Sequence, residues 1–269
     1  MTLRYSDEQR LLADSARDFL AACAPVGAQR KLRDQGSAQG FDGQLWQDAV
    51  NLGWSAIPFP ESLGGLEFGC MGLGPVFEAI GENLSATPLL SSVVLGGSLL
   101  HLAGNAGQQQ RWLPGLIAGG LRVALAVDER ARHNPHSINL NAVADGDGYR
   151  LDGDKYWVVD GNGADAFIVA ARTSGHATDE QGISLFLLPA DTPGLSCTAL
   201  PLIDSRNSAR LQLHQVRVGR DALLGEAGQG RAVLDAVLDR GRTCLAAELL
   251  GIAAVSYTHL TLPTKRVVL

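Results

Sequence analysis

Between residues 122 and 174 the apolar pattern of the chain changes period, and this change limits the possible folds more than any other feature. Val123, Leu125 and Val127 alternate with alanines, and two further apolar runs, 138–144 and 149–159, flank Asp145-Gly146-Asp147-Gly148. Alternation at period two sends successive side chains to opposite faces of a strand. Asp-Gly supplies the backbone freedom a tight hairpin needs, so the two runs are predicted to pair antiparallel. Shorter apolar runs at 167–171, 183–188, 195–200 and 211–218 are separated by Gly, Pro, Asp and Ser. Short strands at this spacing predict a compact antiparallel barrel or sandwich over 121–226, with a binding site expected in its opening stretch.

Both sides of this region read as helix. Ser6 and Gln9 form a capping box, and Leu11, Leu12, Ala16, Phe19, Leu20 and Cys23 make one apolar face until Pro25 ends the pattern. The segment 31–43 reads as a polar connector. Leu45, Trp46, Ala49, Val50 and Leu52 predict a second helix stopping at Gly53, and the prolines of 56–60 predict an extended link. The glycines of 63–74 follow no strand and precede no Lys-Ser or Lys-Thr, so they read as a loop entering a helix rather than a phosphate cradle. That third helix carries Val76, Phe77, Ile80 and Leu84, with Glu78 and Glu82 either solvated or at an interface. Segment 89–102 predicts a helix buried on most sides, and 107–118 another, stopped by Gly119-Gly120. After the loop 225–230, Val233, Leu234, Val237, Leu238, Leu245, Leu249 and Leu250 mark a long helix. The fold class is therefore multidomain α+β: a helical domain over 1–120, the β domain over 121–226, and over 227–254 the first helix of a C-terminal helical bundle.

Composition removes several functions. The net charge is -6 with no basic cluster of the size phosphate backbones demand, which argues against nucleic acid. The N-terminus has no signal-peptide core, and no apolar run reaches membrane-spanning length. Cys23, Cys70, Cys197 and Cys244 are scattered without metal-ligand spacing, which predicts a cytoplasmic protein with reduced thiols and no metal.

Three phrases carry a family resemblance: PFPESLGGLEFG, DGDGYRLDGDKYWVVDGNGADAFIVAART and VRVGRDALLGEAGQG. In this order, and covering about Tyr5 to Ala254, they resemble the acyl-CoA dehydrogenase family. The resemblance implies FAD held between the β domain and the C-terminal helices. It also implies oxidation of an acyl-CoA at its α and β carbons, a glutamate taking the α proton while the β hydride passes to the flavin. Carried onto this sequence, Val127, Trp157 and Val159 fall at cofactor-binding positions, and Arg132 and His133 at substrate-binding positions. The family's Thr-Glu-Pro-x-x-Gly-Ser-Asp loop aligns with 127–134. There Val127 replaces a hydroxyl, Glu129 the turn proline, and Arg130 and Arg132 small residues; Val159 replaces the hydroxyl after Trp157. The position that carries the catalytic base in some members is Gly241, so no catalytic residue is assigned. Asp239 and Glu248 are read onto other helix faces, in surface or interface roles.

This pattern resembles the degenerate subunit of heteromeric acyl-CoA dehydrogenases. The implied partners are an acyl-CoA substrate, a homologous dehydrogenase subunit and an electron-transfer flavoprotein. Two alternatives stay open: a flavin monooxygenase of the same fold, and a non-catalytic acyl-CoA-binding or scaffolding subunit. In 255–269 the helical period is expected to end at Val255, with Pro263 where the family would continue a helix. This segment resembles a translated synthetic adapter and is expected to be non-native. Resequencing the locus across codon 254 should find the genomic frame diverging there; an uninterrupted genomic match through Leu269 would overturn that expectation.

Overall fold

The computed structural model describes residues 5–260, and side chains as far as Thr258. Helix α1 (Asp7–Cys23) begins at Ser6, and both hydrogen bonds of the capping box are present. It buries Ala13, Ala16 and Leu20, whereas Leu11 is 71% exposed, so the apolar face is narrower than its sequence pattern. Helix α2 (Val26–Asp34) occupies much of the expected connector. It buries no residue, and a helix polar on all sides carries no amphipathic signal by which to find it. Helix α3 (Gly43–Asn51) is capped by Asp42, whose carboxylate accepts from the amides of Gln44 and Leu45. The chain then follows successive turns through 52–58 instead of the extended link, with Trp54, Ile57 and Phe59 driven into the core.

Helix α4 (Leu73–Asn83) packs against α1 through Arg17, which donates to Glu78 at 2.9 Å and Glu82 at 3.1 Å; these glutamates lie at a helix interface. The apolar segment Leu89–Gly97 is wound as a π-helix and continues into α5 (Ser98–Ala103). Helix α6 (Ala106–Ile117) starts at an Asn105–Gln108 capping box and ends before Gly119, which sits at φ +73°. The π-helical turn matters for function, because such turns displace side chains from the regular ladder and recur at ligand sites.

Strands β1 (Val123–Ala126), β2 (Asn141–Asp145), β3 (Gly148–Val159), β4 (Ala166–Arg172), β5 (Ile183–Pro189), β6 (Leu195–Ala199), β7 (Ser208–Gly219) and β8 (Leu223–Leu224) form one sheet. Its order is β6-β7-β3-β2-β4-β5-β8, with β1 on β4. The expected hairpin closes β2 onto β3 with Asp145 opposite Gly148 and Gly146 at φ +59°. Among the named strands pairing is antiparallel except where β1 runs parallel to β4 and β2 meets it at one parallel pair, a correction to the all-antiparallel expectation. The hairpin inserted between β1 and β4 returns the chain in the direction it left, which makes the parallel pair possible.

Strand alternation separates two cores. Val123, Leu125, Val127, Ile168 and Leu185 join the helices in one. Ala124, Ala126, Phe167, Val169, Phe186 and Leu213 form the other, made wholly of residues from the β region, so the sheet curls around an interior of its own.

Helix α7 (Gly230–Leu260) crosses back over α4 and the π-helical segment. The crossing with α4 is a reciprocal glycine contact: a Cβ on Gly81 would lie 2.0 Å from the Glu248 carbonyl oxygen, and one on Gly251 2.0 Å from that of Glu78. The helix also continues to Leu260 instead of ending at Val255, because Val255–Leu260 contains neither proline nor glycine. Pro263 lies outside the described residues. Among those residues no helix is long and apolar enough to cross a membrane.

Candidate functional site

The sheet, the π-helical segment and α7 meet at a two-chambered groove. One chamber, about 270 Å³, is lined by Leu95, Val127, His133, Leu238 and Gly241 among others. A second, about 310 Å³, extends toward Ile80, Ser85, Asp160, Arg206 and Glu248. They share Leu90, Trp157, Val159 and Leu245. The structure thus brings Val127, Trp157, Val159, His133 and Gly241 to one cavity. Arg132 is exposed and lines neither chamber.

Trp157 owes its position to an irregularity of β3. The β3–β7 register shifts between Lys155 and Val158, and Trp157 adopts φ +56°, unusual for a bulky side chain. The bulge turns the indole out of the sheet, 41% exposed, and its Nε1 donates to the Arg130 carbonyl at 3.0 Å. An aromatic in a β domain is more often core. Here it forms the ridge between the two chambers, with Val159, 43% exposed, beside it.

Beneath Trp157 the 127–134 loop rests on a buried ion pair. Lys155 is fully buried, and its Nζ donates to Glu129 Oε1 at 2.7 Å and to the Val127 carbonyl at 2.9 Å. Glu129 also accepts from the amides of Asn139 and Leu140. Burial alone would raise the Glu129 carboxyl, but Lys155 and these amides outweigh it and hold the group below its usual range. Burial pulls the Lys155 ammonium down to about 8, against the attraction of Glu129. Asp128 accepts from the Asn134 amide at 2.9 Å and from His133 Nδ1 at 2.7 Å. The acidic side chains of the loop are thereby committed to holding its shape.

The second chamber has polar walls. Ser91 donates to Asp160 Oδ2 at 2.6 Å, and burial raises the Asp160 carboxyl to about 6 despite that bond. The buried Ser85 hydroxyl has no hydrogen-bond partner among the described residues. Glu248 corrects the expectation that it faces away from Gly241: seven residues are two helical turns, so both project to the groove side. Its carboxyl is raised, chiefly by burial. Asp239 is exposed and pairs with Arg242 on its own helix.

The lining fits one face of a flat conjugated ring. The indole is held by its own hydrogen bond, and Val159 and Val127 extend the apolar surface beside it. Valines offer dispersion contact but no hydrogen bond to a ring edge. The sequence singles out Val127, Trp157 and Val159, which the structure brings to one groove, but not the ion pair that supports them. The signal was present: period-two alternation from Leu151 places Lys155 inward, and Glu129, at a turn position, is its counterion.

A helical layer, a curled sheet and one long helix meeting at a groove define a three-part α+β fold with a cavity at the common junction. The chain matches the acyl-CoA dehydrogenase N-terminal domain over residues 6–120 and the acyl-CoA dehydrogenase middle domain over 125–216. It is 30% identical over 260 residues to the probable acyl-CoA dehydrogenase YngJ of Bacillus subtilis, covering 94% of this chain and 67% of that protein. With the acyl-CoA dehydrogenase FadE27 of Mycobacterium tuberculosis it shares 34% identity over 198 residues, 74% of this chain and 50% of the relative. Among solved structures, the ChsE4-ChsE5 complex from Mycobacterium tuberculosis superposes with a TM-score of 0.84 at 28% identity, covering 96% of this chain and 67% of that one. The chain belongs to the acyl-CoA dehydrogenase family, whose cofactor is FAD. It spans from half to two thirds of the length of the two relatives named.

Proposed function

We propose that this chain serves in FAD-dependent α,β-dehydrogenation of an acyl-CoA thioester, as the degenerate subunit of a heteromer with a homologous, catalytically complete subunit. The observation that carries this reading is the groove itself: a well-formed apolar cleft whose flavin-side positions are Val127 and Val159 and whose α7 wall presents Gly241. FAD, when bound, supplies the acceptor for the β hydride. Trp157 and Val159 provide a flat apolar contact for one ring face, and Val127 excludes water from its edge. Leu90, Leu95, Leu238 and Leu245 suit an acyl chain by burying apolar surface. In this reading His133, at the groove, and Arg132, on the exposed loop outside it, meet the phosphates of CoA. The proton-abstracting carboxylate and the electron-transfer flavoprotein interaction fall to the rest of the assembly. A cytoplasmic location belongs to the same reading and rests on the scattered cysteines.

The test is to purify the chain alone and together with a homologous subunit of the same genome, then follow flavin absorbance on adding acyl-CoA thioesters. The pair is expected to bleach and the lone chain to remain unchanged. Trp157→Ala in the pair should lower flavin retention several-fold, at about 1 kcal/mol per lost aromatic contact. Turnover by the lone chain would reject the degenerate-subunit reading. Thioester binding without flavin, in both preparations, would favour a non-catalytic binding subunit.

A further inference from the structure

The second chamber of the groove carries polar groups that an apolar acyl chain cannot satisfy. It shares Leu90 and Leu245 with the first chamber, so a chain lying along these leucines points into it. Asp160 sits in its wall with Oδ2 bound by the Ser91 hydroxyl at 2.6 Å, while Oδ1 takes no hydrogen bond among the described residues. Arg206 lines the same chamber, and its guanidinium donates only to the Ser85 carbonyl, a long bond of 3.4 Å. Glu248 completes this end of the cavity, and among the described residues Arg206 is ion-paired to neither carboxylate. Ser85, 3% exposed, adds to the wall a hydroxyl without a hydrogen-bond partner among those residues. Two other polar side chains here are already committed. Asp204 accepts from the Arg206 amide at 3.0 Å, and the Asn207 side chain donates to the carbonyls of Gln39 and Asn162.

The groups left over decide what end of a ligand fits. A terminal methyl would displace water from Asp160 and Arg206 and leave both without partners, a cost that dispersion contact does not repay. A terminal carboxylate would gain Arg206 but face Asp160 and Glu248 across a small cavity. A terminal ammonium would gain those carboxylates but shed its own hydration opposite a guanidinium. A hydroxyl carries no charge and has both functions: its O–H donates to Asp160 Oδ1, and its oxygen accepts from Arg206. Burial raises both carboxyls, in keeping with a poorly hydrated end of the groove where such bonds count.

On the acyl-CoA reading of the groove, on which this rests, we propose that the second chamber is a subsite for acyl groups that bear a hydroxyl at the end away from the thioester. Asp160 accepts the hydrogen bond of that hydroxyl, and Arg206 donates to its oxygen. The leucines shared by the two chambers hold the hydrocarbon between. Asp160 and Arg206 bind and select the far end of the chain and take no part in bond making at the α and β carbons. Selection comes from the penalty on the wrong end group. A buried site that hydrogen-bonds a hydroxyl rejects the analogue lacking it far more strongly than an apolar pocket rejects one methylene too many.

The experiment measures the affinity of CoA thioesters for the full-length chain paired with its homologous subunit, by equilibrium dialysis. Hexanoyl-, octanoyl-, decanoyl- and dodecanoyl-CoA are compared with their ω-hydroxy, ω-carboxy and ω-amino counterparts. At the chain length that reaches the second chamber, the ω-hydroxy thioester is expected to bind on the order of tenfold tighter than the other three, the effect of one hydrogen bond to a charged group. In Asp160→Ala and in Arg206→Gln the ratio of ω-hydroxy to unsubstituted affinity should fall toward one, a change that a purely structural loss would not produce. The ratio in the unsubstituted pair tests the subsite without either variant. Equal affinities for ω-hydroxy and unsubstituted thioesters at every length, a preference for the carboxylate or the amine, or a ratio unchanged in both variants would overturn the subsite and leave the proposed function standing. Failure of every thioester to bind would overturn both.

Discussion

Lys155→Met is expected to lower folding stability by about 3–5 kcal/mol, the cost of removing one partner from a buried ion pair. The substitution leaves Glu129 beneath the loop with only amide donors, and it deprives the Val127 carbonyl of its bond to Nζ. Glu129→Gln should be milder, because an amide oxygen still accepts from Asn139 and Leu140. Combining the two should cost less than the sum of the singles, since neighbours in one network do not add. Urea unfolding of the four proteins measures this cycle. A loss below about 1 kcal/mol for Lys155→Met would show that water relieves the site and that the pair does not support the loop. Because the Trp157 indole hangs from the Arg130 carbonyl of this loop, its near-ultraviolet signal should weaken in the same variant.

Asp160→Asn is expected to stabilise the protein near neutral pH and to leave it unchanged in acid. Burial raises the native carboxyl to about 6, while Ser91, Arg206 and Arg122 work in the opposite direction. The folded chain therefore keeps a proton that the unfolded chain releases at lower pH. The resulting stabilisation is complete below about pH 4, and it is lost as pH rises through about 6. Above that range the native protein holds an ionised carboxylate in a poorly hydrated pocket. Solvent in the groove moderates the cost, so the gain on substitution is about 1–2 kcal/mol at about pH 7.5 and near zero at about pH 4. Asparagine keeps an acceptor for Ser91 and tolerates the φ of +52° at this position. Thermal midpoints at the two pH values decide the matter; equal shifts at both, or a loss at the higher, would reject the buried-carboxyl account.

Local signals proved legible where one short motif determines one local geometry. Ser6 with Gln9 and Asp145 through Gly148 each set their own hydrogen bonds, and the structure places α1 and the β2–β3 hairpin accordingly. Helix α2 escaped because Val26–Asp34 has no face to bury. The parallel β1–β4 pair escaped because partners in a sheet are chosen by the whole chain's path rather than by either strand's composition. Trp157 and the two valines, singled out by their motifs, do meet at one groove, but the polar second chamber had no such motif. Ser85, Ser91, Asp160, Arg206 and Glu248 come from four separate segments, and no spacing in the sequence links them. Glu248 was misread for a simpler reason: its relation to Gly241 is a matter of helical phase, and seven residues nearly complete two turns.

The paired glycines where α4 crosses α7 bring main chain against main chain, so the distance between these helices is gauged by atoms that every residue possesses. Substitutions elsewhere along α7 can change what lines the groove without changing how wide it is. Tolerance in the lining and rigidity in the frame thus come from one contact, and a methyl group added at either glycine would surrender both.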